Sequence, residues 1–382
     1  MTDSPFFLPR YLLYALALLT ATGASAQPLR CEINGESVNP ANGSTTAGKT
    51  GLMRCRTDSG ALQREEELRN GKFIGVRNFY SAEGRKEGLV NEKGNQDGPA
   101  REFYADGKLK EESLYANGER IGLSKRYYPT GQLERIAFAA PNRERGSSLE
   151  YLEDGKLRSL QCAPSSRMPE DRAPCGHAGS ASQLELFRGT RGAARLATRA
   201  SYRDGVLIDS TDMDNEGRPA RSYSLKDGVE TSREYFPDGK PRRERALSRG
   251  PDRSSGRDGS EREWASNGQL IAERRFAGGF ETGLSEWFMN GSLKQKRTTE
   301  GTGRDALARA ELYYDTGKLR ARTQTRGGRS IGKQELFDEA GILREEAAYD
   351  ERGTLKTKRT FDAGGKLLAD EEFFEDGSRK LK

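Results

Sequence analysis

The stretch Phe337-Asp-Glu-Ala-Gly341-Ile-Leu343-Arg-Glu-Glu-Ala-Ala-Tyr349-Asp-Glu-Arg-Gly353-Thr-Leu355-Lys-Thr-Lys-Arg-Thr-Phe361-Asp-Ala-Gly-Gly365-Lys-Leu367 restates one short pattern. An aromatic stands four residues before each glycine and a leucine two residues after it. Between turns, Leu343 and Tyr349 are six apart, an even number, so they share a strand face with Glu345 and Ala347. The opposite positions are largely charged. A step of 12 is one strand plus one turn, and a double step of 24 is a hairpin.

Working outward, the full pattern recurs at Phe103/Gly107/Leu109, Tyr127/Gly131/Leu133, Tyr151/Gly155/Leu157, Trp264/Gly268/Leu270, Trp287/Gly291/Leu293 and Tyr313/Gly317/Leu319. Partial copies stand at Tyr80/Gly84, Tyr235/Gly239 and Phe373/Gly377. The turn residues explain the spacing. Pro129-Thr-Gly131 and Pro237-Asp-Gly239 fix the first turn position near φ −65°, which suits a type I turn and excludes type I′. Glycine then takes the left-handed conformation in a three-residue loop with a G1 bulge. That loop sets the aromatic opposite the leucine across a strand pair, so the spacing is a packing rule.

The whole chain agrees with this reading. Of 382 residues, 45 are glycine, 14 proline and 31 aromatic, with 33% hydrophobic and 32% charged residues. That is turn-rich and thin-cored, with aromatics too regular for a disordered chain. Sixty-four Lys and Arg against 58 Asp and Glu give a net charge of +6, but the signs are interleaved, the pattern of a solvated sheet face rather than of a nucleic-acid arm. The only histidine is His177, which removes most zinc sites and histidine-based triads and dyads. There is no phosphate-binding glycine loop and no Gly-x-Ser-x-Gly elbow. Adjacent acids such as Glu345 and Glu346 point to opposite faces and do not converge.

Arg10, the apolar run Tyr11–Leu19 and Ala24-Ser-Ala26 read as a secretory signal cleaved after Ala26. In an exported protein the close pairs Cys31/Cys55 and Cys162/Cys175 are expected as disulfides, each worth roughly 3 kcal/mol in the chain-entropy model. A metal site on Cys162, Cys175 and His177 lacks a fourth ligand. Asp212-Met-Asp214-Asn-Glu216-Gly217 opens like a calcium loop, but Tyr223 stands where the bidentate glutamate belongs, so an acidic turn is expected. Asn42-Gly-Ser44 reads as a turn as readily as a glycosylation site, and Arg326-Gly-Gly-Arg329 as a solvated turn.

The expected order is a signal peptide (1–26), an N-terminal cap with a disulfide (27–60), a first repeat block (61–160) and a disulfide-pinched insertion (161–182). Degenerate repeats with a mobile loop at 249–260 (183–260) and a second repeat block (261–382) follow. The fold class is all-β: about two dozen strands in tandem hairpins forming an elongated twisted sheet or solenoid-like ribbon.

Tyr127-Tyr-Pro-Thr-Gly-Gln-Leu133 and Tyr313-Tyr-Asp-Thr-Gly-Lys-Leu319 resemble the MORN repeat variant, typical of the YwqK-like antitoxin family of bacterial proteins, over most of residues 75–382. The resemblance implies MORN-type hairpins and protein contact; some similar eukaryotic proteins associate with membrane lipids. It supplies no catalytic residues, and a signal peptide with two cysteine pairs departs from a cytoplasmic antitoxin. The expectation is a non-enzymatic exported scaffold that contacts another protein in the bacterial envelope, periplasmic or secreted, in an antitoxin- or immunity-like manner. No cofactor, metal or nucleic acid is expected. Trp264 and Trp287 are candidate interface anchors, although both also occupy the ordinary aromatic position of the repeat. The alternative is a module that binds an envelope glycan or an anionic lipid surface.

Overall fold

The computed structural model describes residues 29–139, 146–190, 192–248 and 258–382. The expected signal peptide lies outside them, as do residues 249–257 of the expected loop. The strand Asp258–Trp264 begins earlier than the expected end of that loop, because Asp258 already faces Ser248 in the ladder. Strand accounts for 60% and helix for 3%, and every strand pairing is antiparallel, so the chain is all-β and built of tandem hairpins. Among the described residues there are 30 strands, more than the spacing rule alone counts.

The chain divides into two compact units, one ending at Gly107 and one running Lys108–Lys382. In the first, the strands Gly98–Tyr104, Gly84–Val90, Lys72–Ser81, Leu62–Arg69, Gly51–Arg56, Arg30–Ile33 and Glu36–Val38 lie side by side in that order. Cys31 and Cys55 face each other in neighbouring strands and are disulfide-bonded. Around them Ile33, Val38, Met53 and Leu68 form a buried core with Phe73 packed against it. The repeat reaches into the expected cap. Arg56 pairs with Leu62 across a Gly60 turn of the same kind, with arginine in the aromatic's place. The Tyr80/Gly84 copy, by contrast, is not a three-residue turn. Ser81 pairs with Gly84 across Ala82-Glu83, and Gly84 lies within its strand, where a Cβ would come within 1.9 Å of the Phe103 carbonyl oxygen, so only glycine fits.

In the second unit Leu109–Ala116, Glu119–Tyr127, Leu133–Ala139, Ser147–Tyr151 and Leu157–Gln161 pair in chain order. Eighteen strands from Leu184–Arg188 to Arg379–Leu381 then form a second run in chain order. Between the two runs sits the Cys162–Cys175 insertion, disulfide-bonded as expected. It is more than a pinched loop. Its short helix Pro169–Arg172 follows Met168, which packs on Ile136 and Leu149. Asp171, fully buried, accepts hydrogen bonds from Ser166 Oγ (2.7 Å) and the Arg167 N–H (3.0 Å). Although burial opposes it, hydrogen bonding from Ser147 together with the Arg167 and Ser166 donors holds the Asp171 carboxyl below its ordinary pKa. On the far side the Gly205 N–H donates to the Cys175 carbonyl at 2.8 Å.

Two turn chemistries alternate. At the three-residue turns the residue three before the glycine both donates to and accepts from its partners: Tyr128 N to Gln132 O and Gly131 N to Tyr128 O, each 2.8 Å. The glycines there, such as Gly131 and Gly341 at φ 88° and Gly317 at 84°, are left-handed as the turn requires. The other end of several hairpins carries a two-residue turn with both φ positive, as at Asn117-Gly118, Asp204-Gly205 and Asp227-Gly228, the type I′ signature, whereas Glu300 and Leu307 are joined by a longer loop. Where the two alternate, a period near 24 is one turn of each kind. In the last block, where the period is 12, both ends use the three-residue turn.

Candidate interaction surface

The spacing rule places the aromatic opposite the leucine, and the ladder does so at Trp264–Leu270, Trp287–Leu293, Tyr313–Leu319, Phe337–Leu343 and Phe361–Leu367. Tyr235 faces Pro241 in the same register. Directly opposed residues share a face and successive residues alternate, except at the register shift beside each leucine. Leu343 faces Phe337 while Glu345 faces Leu336, so, against the expectation from even spacing, Leu343 does not share the face of Glu345, Ala347 and Tyr349. Glu234, Arg243, Glu263, Ala272, Glu286, Gln295, Leu312, Ala321, Leu336, Glu345 and Thr360 form one continuous row of opposed positions. Each stripe aromatic is the immediate neighbour of a member of that row. Tyr235, Trp264, Trp287, Tyr313, Phe337 and Phe361 therefore all lie on the other face, at the three-residue-turn end of every second strand. Each is half-buried. The two candidate anchors, Trp264 and Trp287, are thus neither isolated nor special in position. They are two members of one apolar stripe.

A charged row runs beside the stripe on the same face. One run links Arg233, Glu244, Arg262 and Glu273, with Arg262 3.6 Å from Glu244 and 2.9 Å from Glu273. The next runs from Glu311 to Arg322 (3.3 Å), Glu335 (3.6 Å), Lys333 (2.9 Å) and Glu346 (2.6 Å), then on to Arg359 (3.5 Å) and Asp370 (3.2 Å). Apart from Lys333, each of these residues stands six before or five after a turn glycine. That spacing is visible in the sequence, but was not read from the aromatic and leucine positions alone. The Tyr313 hydroxyl donates to Glu311 at 2.7 Å and, with Arg322, holds that carboxyl below its ordinary pKa. Burial and the Glu311 charge push the Tyr313 hydroxyl up. Glu335 and Glu346 raise Lys333.

On the side of the charged row away from the stripe, a groove of about 430 Å³ opens, lined by Lys296, Arg309, Glu311, Arg322, Lys333 and Glu335 with Thr298 and Gln324. Successive turns along this end are tied together. Tyr314 Oη donates to the Phe337 carbonyl and Asn290 Nδ2 to that of Asp315, both at 2.8 Å, and Lys318 Nζ reaches the Ala340 carbonyl at 3.2 Å. The stripe's backbone is therefore held in register from outside the ladder as well as within it.

Other sequence candidates resolve plainly. The calcium-like loop is occupied by its own cations. Asp214 accepts from the Glu216 and Arg218 N–H groups and from Arg218 Nε, while Arg188 donates to the Met213 and Asp214 carbonyls. Asn42 caps the short helix Gly43–Thr46, its Oδ1 accepting from the Ser44 N–H. Among the described residues no cluster of His, Cys, Asp and Glu is placed to hold a metal ion, and no helix is long and apolar enough to cross a membrane.

No curated protein matches the chain. Among solved structures, the Photorhabdus luminescens Tc holotoxin pore carrying the TccC3-D651A mutation is similar at 11% identity. It covers 90% of this chain and 23% of its own, with a TM-score of 0.17. The TcdB2–TccC3–Cdc42 crystal structure stands at 12% identity, 87% and 23% coverage and a TM-score of 0.15. A crystal structure of the eukaryotic initiation factor stands at 10% identity, 93% and 90% coverage and 0.15. The chain thus spans about a quarter of the first two, and likenesses at these TM-scores carry neither fold nor function. What similarity does establish is the repeat itself, since residues 96–117 and 120–138 match the model of the MORN repeat variant.

Proposed function

We propose that this chain is a non-enzymatic, exported repeat scaffold that holds a protein partner in the bacterial envelope, in an antitoxin- or immunity-like manner. The observation that carries the reading is the repeated face: an apolar aromatic stripe beside a row of alternating charges. A surface of that kind offers many similar shallow contacts and suits a macromolecule better than a small substrate. Two buried disulfides are compatible with an oxidising compartment and support export.

Affinity capture tests this, with residues 27–382 as bait against the native envelope fraction under low-salt and then high-salt washes. One protein retained at high salt, and lost when Arg262 and Arg322 are both changed to Glu, is the expected result. Retention of glycan or lipid material alone would overturn the protein-contact reading.

A further inference from the structure

We propose that the stripe Trp264–Trp287–Tyr313–Phe337, with the groove beyond the charged row, is a binding site for an extended β-1,4-linked glycan that carries carboxylate groups. The glycan would lie on the same face that carries the protein-contact reading, as a further ligand of that face, and titration of the purified chain tests it independently of partner capture.

The first argument is period. The aromatics stand on every second strand of one sheet, so they recur at about 9.6 Å, twice the spacing of neighbouring strands. An extended β-1,4-linked disaccharide repeats at nearly the same length and turns a C–H face toward such a surface once per repeat. Aromatic rings are the side chains suited to that face, being apolar on the flat and able to take polarised C–H groups at the ring. Here the intervening leucines Leu270, Leu293, Leu319 and Leu343 keep the stripe apolar between the rings. The rings are half-buried, each leaving part of its surface to solvent.

The second argument is charge. The groove begins at Glu311, which accepts from the Tyr313 hydroxyl, and extends away from the stripe; it is lined by four cations, Lys296, Arg309, Arg322 and Lys333, against two carboxylates, Glu311 and Glu335. Arg322 and Lys333 are committed to the ladder. Arg309 is paired only at its outer end, with the exposed Glu300 at 2.8 Å. Lys296 has no ion-pair partner among the described residues, although it lies close enough to Glu311 to lower that carboxyl. Two cations are therefore left to meet anionic groups spaced along a polymer whose sugar rings occupy the stripe. Thr298 and Gln324 supply neutral donors and acceptors for hydroxyls. A membrane surface would use the cations without needing the ring period, and a protein strand would need an open edge rather than this face.

The chain itself provides the reporter, because its only two tryptophans are Trp264 and Trp287. Intrinsic tryptophan fluorescence therefore reads the stripe alone. The full chain is titrated with chitobiose, chitohexaose and hexameric β-1,4-D-mannuronate. The expected result is a saturable emission change with both hexasaccharides and a weak one or none with chitobiose. The mannuronate should bind more tightly, and that advantage should shrink with added salt and in Lys296→Ala and Arg309→Ala. Trp287→Ala should weaken chitohexaose about tenfold or more, the scale of truncating a seated aromatic anchor, while Trp287→Tyr retains binding. Circular dichroism confirms that each variant remains folded. Equal affinity for chitobiose and chitohexaose overturns the proposal, as does no emission change in the unmodified chain with either hexasaccharide. Binding of mannuronate alone, abolished by salt and indifferent to Trp287→Ala, assigns the face to non-specific anion attraction and overturns it equally.

Discussion

Between Cys31 and Leu68 the buried side chains include Ile33, Met53, Cys55 and Leu68, the last three fully enclosed. Between Asp258 and Lys382 they are Ala272, Leu284, Ala321, Ile331, Ala347 and the carboxylate Glu261. The same hairpin is thus held in two ways. Near the N-terminus a small core and a disulfide gather apolar bulk. In the last block half of the enclosed residues are alanines, and most large side chains lie half-buried in rows across the strands. Stability there is a sum over cross-strand pairs and neighbouring turns, each modest, in place of one shared interior.

The largest expected effect lies in the first region. Glu66 is 1% exposed and ion-paired with Arg64 and with Arg77, the latter at 2.7 Å. Glu66→Ala leaves two arginines facing an emptied site and should cost roughly 3 kcal/mol. Hydrogen exchange should show Gly51–Arg56 and Leu62–Arg69 losing protection while Leu307–Tyr313 keeps it. Equal loss in both regions would break the comparison. Next, replacing Cys31 and Cys55 together by Ala should destabilise the same segment by about 3 kcal/mol, with the last block again unmoved.

In the last block, Gly317→Ala meets open space but forces a left-handed alanine, so it should cost about 1 kcal/mol, and Gly317→Asn less. The loss should stay within the hairpin Leu307–Arg326. Spread across the whole block would show that the repeats are more cooperative than a pairwise sum. Arg359→Ala removes a partner of both Glu346 and Asp370, yet the guanidinium is half-exposed, so about 0.2–1 kcal/mol is expected, shrinking at 1 M NaCl.

The smallest effect sharpens the contrast by pH. Asp350 accepts from the Thr354 and Arg352 N–H groups, and Asp376 from Ser378, so both carboxyls sit below the ordinary aspartate pKa. A lowered folded pKa contributes stability above the unfolded value that is lost as pH falls through the folded one. The melting temperature of the last block should be flat from pH 7 to 5 and decline below about pH 4. A decline that starts near neutrality would point to groups other than these turn caps.

Much of this was legible from spacing. Glycine, aromatic and leucine positions fixed the three-residue turn and the stripe partners, because that turn leaves one register open to the flanking residues. Both cysteine pairs followed from proximity and compartment. The type I′ turns are less legible because Asn117-Gly118 and Asp227-Gly228 sit between strands whose other ends carry the conspicuous motif. Arg56 hid a further turn by standing in the aromatic's place. The insertion's packing depends on Met168 meeting Ile136 and Leu149 and on Cys175 meeting Gly205, contacts between distant segments that no local spacing encodes. The groove was unreadable for a similar reason: it needs charges from four strands brought abreast.

The step of 12 in the last block has a consequence for how such a chain can grow. Tyr349 shares its face with Glu345 and Ala347, whereas Phe337 and Phe361 lie on the opposite face and at the opposite end of their strands. One half-unit therefore changes both the end and the side on which its aromatic falls, and two half-units restore them. Gain or loss of 24 residues would lengthen or shorten the stripe and leave it intact. Gain or loss of 12 in its middle would split it into two shorter stripes facing opposite ways. The parity of half-units between any two aromatics, rather than their number, decides whether they can act on the same ligand.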